Sequence, residues 1–132
     1  MIRTMLDTST CIDVIRNRRP HLGPKFQDEV RSICISSIVV HELRFGAENS
    51  MRPKYQHEQV DDFVTRLSVA DFDRLAALHA AEIKSALRKD GNIIGPNDLL
   101  IAGHARSLGV KLITGNLGEF TRVEGLRCED WL

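Results

Sequence analysis

Apolar residues in this chain come in short unbroken runs that alternate with stretches in which they recur every three or four positions. IRTML at 2–6 is predicted as a short strand closed by Asp7, and TCIDVIRN at 10–17 then carries helical spacing, with Thr8 or Ser9 able to cap it. Pro20, Gly23 and Pro24 punctuate the chain, and a short helix is predicted over 25–30. ICIS at 33–36 is a second buried strand. Ser36 or Ser37 caps the helix after it, where Ile38, Val39, Leu43 and Ala47 repeat along 38–50. Pro53 opens a more polar helix running to about Arg66, with Val60, Phe63, Val64 and Leu67 on one face. LSVADF at 67–72 is expected as a short strand, and 73–89 as the longest amphipathic helix, with Leu75, Leu78, Ile83 and Leu87 toward the core. After a turn at 90–92, residues 95–109 form a helix with Pro96 near its first position and Gly109 just past its end. KLIT at 111–114 is a fourth strand, GNLGEF at 115–120 a loop, and LRCEDWL at 126–132 a final edge strand.

Strands alternating with helices predict an α/β fold, a three-layer α/β/α sandwich around a mostly parallel central sheet. Such folds place their sites in the crevice beyond the carboxyl ends of the strands. The helical stretch at 53–89 is expected as an insertion between sheet units. The 132 residues suffice for one core, and a single domain over 1–132 is expected.

Composition narrows the class without naming it. With 42% hydrophobic and 27% charged residues, neither a disordered nor a fibrous chain is indicated. The apolar run ICISSIVV at 33–40 falls far short of the roughly 20 residues that a bilayer span needs. The N-terminal MIRTMLDT lacks the features of a secretory signal, so a cytoplasmic protein is expected. Cys11, Cys34 and Cys128, odd in number and set in apolar segments, are expected as buried thiols, neither a disulfide framework nor a zinc site. Eighteen basic residues balance eighteen acidic ones, so any phosphate contact needs a local patch. The candidate is 16–25, where Arg16, Arg18, Arg19 and Lys25 cluster; a solvated helix end is the plainer account.

Three acids stand out by position. Asp7 follows the first strand, Glu42 lies early in the helix after the second, and Asp98 lies in the first turn of the helix before the fourth. Each has an ordinary explanation: Asp7 caps a helix, Asp98 complements a helix dipole, Glu42 is a surface acid. Together at one sheet edge they would repel one another unless a divalent cation neutralised them, and hard carboxylate oxygens suit Mg²⁺ or Mn²⁺. Asn116 and Glu119 follow the fourth strand at the same edge, although Thr114 and Asn116 would equally serve to satisfy turn backbone. Asp13, Asp61, Asp62, Asp71 and Asp73 are expected in solvent, and His41, His57, His79 and His104 as scattered helix residues; His21 lies in the basic turn.

Other motifs fail. HELRF at 41–45 has Phe45 where a zinc-protease helix needs its second histidine. LDTST lacks the second aspartate of a phospho-aspartate motif, having Ser9 there. No phosphate-binding GxxxxGK[ST] loop and no GxSxG elbow occurs.

MLDT at 5–8, ISSIVVHELRFGAE at 35–48, GPNDLLIAGHARSLG at 95–109 and ITGNLGEFTRVEGLRCEDW at 113–131 together resemble the VapC toxins of bacterial type II toxin–antitoxin systems, which are PIN-domain ribonucleases. The resemblance implies that Asp7 and Asp98 hold Mg²⁺ or Mn²⁺, that Glu42 completes an acidic triad, that Asn116 takes the fourth position and that Glu119 borders the pocket. It implies an RNA substrate, namely tRNA, with initiator tRNA cut in its anticodon stem-loop. It also implies a homodimer, and a VapB-type antitoxin that plugs the cleft and carries the complex onto operator DNA. The chain departs from the family pattern at Ser9, where Asn is frequent, and at Gly115 in the loop after the fourth strand. A catalytically silent PIN-like module that binds an antitoxin or RNA is the alternative; a phosphatase or nuclease on DNA is a third.

Overall fold

The structure is a computed structural model that describes residues 1–131. Strands β1 (Thr4–Leu6) and β2 (Ile33–Ser36) are buried at every position, as continuous apolar runs are when helices cover both faces of a sheet. With β3 (Ser68–Ala70), β4 (Lys111–Ile113) and β5 (Cys128–Glu129) they form one five-stranded sheet in the order β3-β2-β1-β4-β5. Every pairing is parallel. The order runs outward from β1 in one direction to β3 and restarts with β4 on the other side. That reversal lies between β1 and β4, where a crevice opens at the carboxyl ends of the strands.

Helices α1 (Thr8–Ile15), α2 (Leu22–Glu29), α3 (Ser37–Glu48) and α4 (Pro53–Val64) connect β1, β2 and β3; a 3₁₀ turn at Val30–Ser32 leads into β2. Helices α5 (Arg74–Lys89) and α6 (Pro96–Leu108) return the chain to β4, and a short α7 (Leu117–Phe120) precedes β5. The first group packs on itself through α1, α3 and α4, and the second through α5 against α6. Right-handed crossovers in opposite directions place the two groups on opposite faces, which makes the expected three layers. Among the described residues, no helix is long and apolar enough to cross a membrane.

Several sequence expectations need correction. The stretch 53–89 is no insertion: it contains β3, which extends the sheet beside β2. Helix α2 starts at Leu22, three residues early, because Gly23 and Pro24 fall in its first turn, where an amide N–H has no partner to lose. The GNLGEF loop contains α7. On α5, Leu75 and Leu78 are 51% and 55% exposed, while Ala76, Ala80, Ile83 and Leu87 face inward. The cause is the closeness of α6: a Cβ on Gly103 would lie 2.6 Å from the backbone N and Cα of Ala80. A leucine stripe cannot fit between helices that approach so tightly. Gly103→Ala is therefore expected to lower the unfolding free energy by about 1–3 kcal/mol through overpacking, despite better helix propensity. Urea unfolding at one pH checks this; an unchanged midpoint would contradict the close approach.

Cys11 and Cys34 are buried, whereas Cys128 is only half-buried, and all three thiols are free. Burial pushes the Cys34 thiol up to about 11, which keeps it protonated.

Candidate active site

Asp7 sits one residue beyond β1 and serves as the N-cap of α1, its Oδ1 accepting the Thr10 N–H at 2.9 Å. Its own N–H donates to the Ile113 carbonyl at 3.0 Å, so the end of β1 is tied to the end of β4. The carboxyl is nearly buried, at 3% exposure. Thr114 donates its hydroxyl to Oδ2 at 2.5 Å, and the Ser9 hydroxyl lies 3.2 Å from both oxygens. Capping and a charge at the sheet edge are thus two aspects of one placement.

Glu42 lies in the second turn of α3, a helix capped by the Ser36 hydroxyl, which accepts the Ile38 N–H at 3.0 Å. Thr8, the first residue of α1, donates its hydroxyl to Oε1 of Glu42. That bond joins α3 to the segment carrying Asp7.

Asp98, in the first turn of α6, stands beside Gly95: a Cβ there would sit 3.8 Å from Asp98 Oδ2 and 3.6 Å from Glu119 Oε1. The Gly95 N–H donates to Glu119 Oε1 at 2.5 Å, and the Asn116 side-chain amide donates to Oε2. Asn116 is itself held by its N–H donating to Thr114 Oγ1 at 2.9 Å. Burial, then the charges of Glu119, Asp7 and Glu42 and a hydrogen bond with Glu119, push the Asp98 carboxyl from the ordinary range up to about 7. The acids singled out from four distant segments therefore act on one another at one edge of the sheet.

Hard oxygen donors with unrelieved mutual repulsion suit a divalent cation. Among the described residues, no three acidic, histidine or cysteine side chains already form a ready-made metal cage. The donor set fits an ion held by one or two carboxylates and completed by water and substrate oxygens, which is the habit of Mg²⁺.

The basic run divides. Arg19 is bound by Asp13 at 3.3 Å and by Asp130 at 3.2 Å; Lys25 pairs with Glu29 at 3.4 Å and lies 5.4 Å from the centre of the Trp131 ring. Arg16 and Arg18 remain exposed, without a side-chain bond among the described residues. His21 contacts the Trp131 carbonyl at 3.0 Å. Three acids expected in solvent have structural tasks: Asp13 holds Arg19, Asp61 pairs with Arg44 at 2.5 Å, and Asp73 caps α5 by accepting the Ala76 N–H. His104 is buried with Nδ1 2.8 Å from Ser36 Oγ, and desolvation lowers its pKa.

Sequence reasoning missed Thr8, Thr114 and Gly95 as parts of the site. The signal available was local: a hydroxyl beside the strand-end Asp7, another at the end of KLIT, and a glycine just ahead of Pro96.

Comparison with known proteins agrees with this geometry. Residues 4–126 match the PIN domain family. The chain is 44% identical to the tRNA(fMet)-specific endonuclease VapC of Salmonella typhimurium over 99% of both, and 42% identical to Ribonuclease VapC2 of Haemophilus influenzae over the whole of both. A crystal structure of DNA-bound VapBC from Salmonella typhimurium superposes with a TM-score of 0.96 at 44% identity, covering all of both chains. VapBC2 from Rickettsia felis, bound to a DNA fragment from its promoter, superposes at 0.93 with 34% identity over the same extent. With this fold, this acid-lined edge and these relatives along its whole length, the chain belongs to the PIN-domain family and, within it, to the VapC ribonucleases.

Proposed function

We propose that this protein is the toxin of a type II toxin–antitoxin pair, a Mg²⁺-dependent endoribonuclease that hydrolyses phosphodiester bonds of tRNA, with Mn²⁺ able to take the place of Mg²⁺. The observation that carries the reading is the convergence of Asp7, Glu42 and Glu119 on Asp98, whose carboxyl is raised to about 7. On this reading Asp7 and Asp98 hold the ion. When bound, the ion offsets the charge that grows on the phosphoryl oxygens and makes water a better nucleophile. Three donors, from Thr10, Thr114 and Ser9, keep the Asp7 carboxyl in one orientation. Glu42 is steadied through Oε1 by Thr8, and its other oxygen, without a partner among the described residues, takes the proton of the attacking water. Glu119, with both oxygens occupied by Gly95 and Asn116, sets the charge around Asp98, and Asn116 holds Glu119 in place.

The substrate follows from the relatives named for tRNA(fMet). A loop of initiator tRNA can splay its backbone into an edge crevice where a duplex cannot. Relatives solved as VapBC complexes on DNA support a VapB-type antitoxin as partner, a cationic side chain of which would sit among the acids, and operator binding through that antitoxin. A homodimer, a cytoplasmic setting and one PIN domain over 1–132 belong to the same reading.

The test is incubation of the purified protein with total tRNA and Mg²⁺, in parallel with EDTA and with Asp98→Asn. One tRNA cut at one position by the wild type, and by neither control, is expected. RNA left intact with both Mg²⁺ and Mn²⁺ would favour a silent binding module, and cleavage confined to single-stranded DNA would favour a DNA nuclease.

A further inference from the structure

His104 is 1% exposed in α6, whose other buried residues, Leu99, Ile101, Ala102, Gly103 and Ala105, carry no polar side chain. An imidazole in that setting costs desolvation that an apolar side chain would not, and the cleavage proposed above makes no direct use of it. Its reason lies on another element. Ser36, wholly buried at the end of β2, turns Oγ to the Ile38 N–H at 3.0 Å and so caps α3. The hydroxyl still has a proton to place. Among the described residues its partner is Nδ1 of His104, 2.8 Å away. A neutral ring with its proton on Nε2 offers Nδ1 as the acceptor, and desolvation keeps the ring neutral.

That bond spans 68 positions and ties together the two helices that carry Glu42 and Asp98. Glu42 lies six residues beyond Ser36, and Asp98 six residues before His104, about 9 Å along a helix axis in each case. Any slippage of one helix past the other therefore changes the separation of the two carboxylates. The ring is held from a second side as well. Phe72, just beyond β3, meets it edge to face with centroids 5.5 Å apart and planes at 82°, and the Phe72 N–H donates to Ser37 Oγ at 3.0 Å. Asp71 and Asp73, on either side of Phe72, are the charges felt at the ring. Two adjacent serines, an aromatic ring and the histidine thus lock the start of α3, the exit from β3 and the middle of α6 into one arrangement.

We infer that His104 is a positioning residue for the cleavage: by accepting the Ser36 hydroxyl it fixes the start of α3 against α6, and with it the separation of Glu42 and Asp98. It touches neither RNA nor ion. The inference rests on the ribonuclease reading above and gives a buried histidine a part in it. A ring kept only to fill space would be matched by phenylalanine, and a bond kept only for stability would leave the rate of the folded enzyme alone.

The test compares variants on a short RNA stem-loop that the wild type cuts at one position. His104→Phe keeps a ring and removes the acceptor. It is expected to lower kcat about tenfold with KM close to that of the wild type, since about 1 Å of misplacement costs about a hundredfold in the reacting geometry and a relaxed helix moves its acid by less. His104→Asn and His104→Gln read where the acceptor must stand. The amide oxygen of the first falls where Nδ1 was and should restore most of kcat; that of the second reaches the level of Nε2 and should not. Added to Ser36→Ala, which has already lost the hydroxyl, His104→Phe should cost nothing more. Circular dichroism and thermal melts show which variants are folded, and if His104→Phe has melted at the assay temperature, the asparagine and glutamine variants carry the comparison. Wild-type kcat in His104→Phe, equal rates in the asparagine and glutamine variants, a raised KM at unchanged kcat, or losses that add in full to those of Ser36→Ala would each overturn the positioning role while sparing the ribonuclease. Failure of the wild type to cut any RNA would remove both readings.

Discussion

Asp7→Asn is expected to reduce RNA cleavage about a thousandfold or more, while the metal-free protein stays folded. The loss follows from removing one of the two carboxylates assigned to the ion, whose stabilisation of phosphoryl charge is worth several kcal/mol. The retained fold follows from the surroundings. Asp7 is buried at 3% exposure, and its charge is among those that push the Asp98 carboxyl up. Asparagine keeps the shape and still accepts the Thr10 N–H, so the cap on α1 survives. Repulsion of Asp98 disappears, and with it the bonds that Thr114 and Ser9 donate to the second oxygen, so the two effects oppose each other and the fold is retained. Thermal melts in EDTA and single-turnover cleavage in Mg²⁺ give the two readouts. A variant that is inactive because it has melted would contradict the assignment, and so would one that cuts at the wild-type rate.

The second large effect is in pH. The Asp98 carboxyl ionises near 7 in the folded protein but near the ordinary aspartate value, about 4, in the unfolded chain. Between those values the folded state holds a proton that the unfolded state has lost. Stability from this group is therefore greatest at low pH, declines as pH rises through that window and levels off above about 7. A cation bound at Asp98 must displace that proton. Its affinity is expected to rise about tenfold per pH unit up to about 7 and then flatten, with one proton released per ion below the plateau. Calorimetric titration of Mg²⁺ at pH 6 and pH 8 in two buffers of different ionisation enthalpy measures both quantities. Asp98→Asn should abolish the proton release; if it does not, another group carries the linkage.

Much of this was legible in the chain because local pattern and global fold agree. Buried strands announce themselves as continuous apolar runs, and the caps at Asp7 and Ser36 mark where strand gives way to helix, which is also where a parallel sheet presents its site. The carboxyl-edge position of Asp7 and Glu42 needed no more than that. Asp98 was different: its helix reaches the same edge because β4 lies beside β1, and strand order is not a local property. The same holds for the Thr114 bond to Asp7, which spans 107 positions. Which stripe of α5 turns inward was also beyond periodicity, since Leu75 and Leu78 repeat as well as Ala76 and Ala80 do. The choice is made by Gly103 on another helix. The basic run at 16–25, a candidate phosphate patch with a solvated helix end as the plainer account, could not be resolved locally for a related reason. Asp130 and Trp131, which contact Arg19 and Lys25, lie more than a hundred positions further along the sequence.

The bond between Thr114 and Asp7 has a bearing on biosynthesis. Asp7 leaves the ribosome well ahead of the hydroxyl that holds it, 107 positions on, and Glu119 comes later still. A nascent chain, or one truncated after α6, carries the first acids without the strand that fixes Asp7, so the acidic edge is incomplete in it.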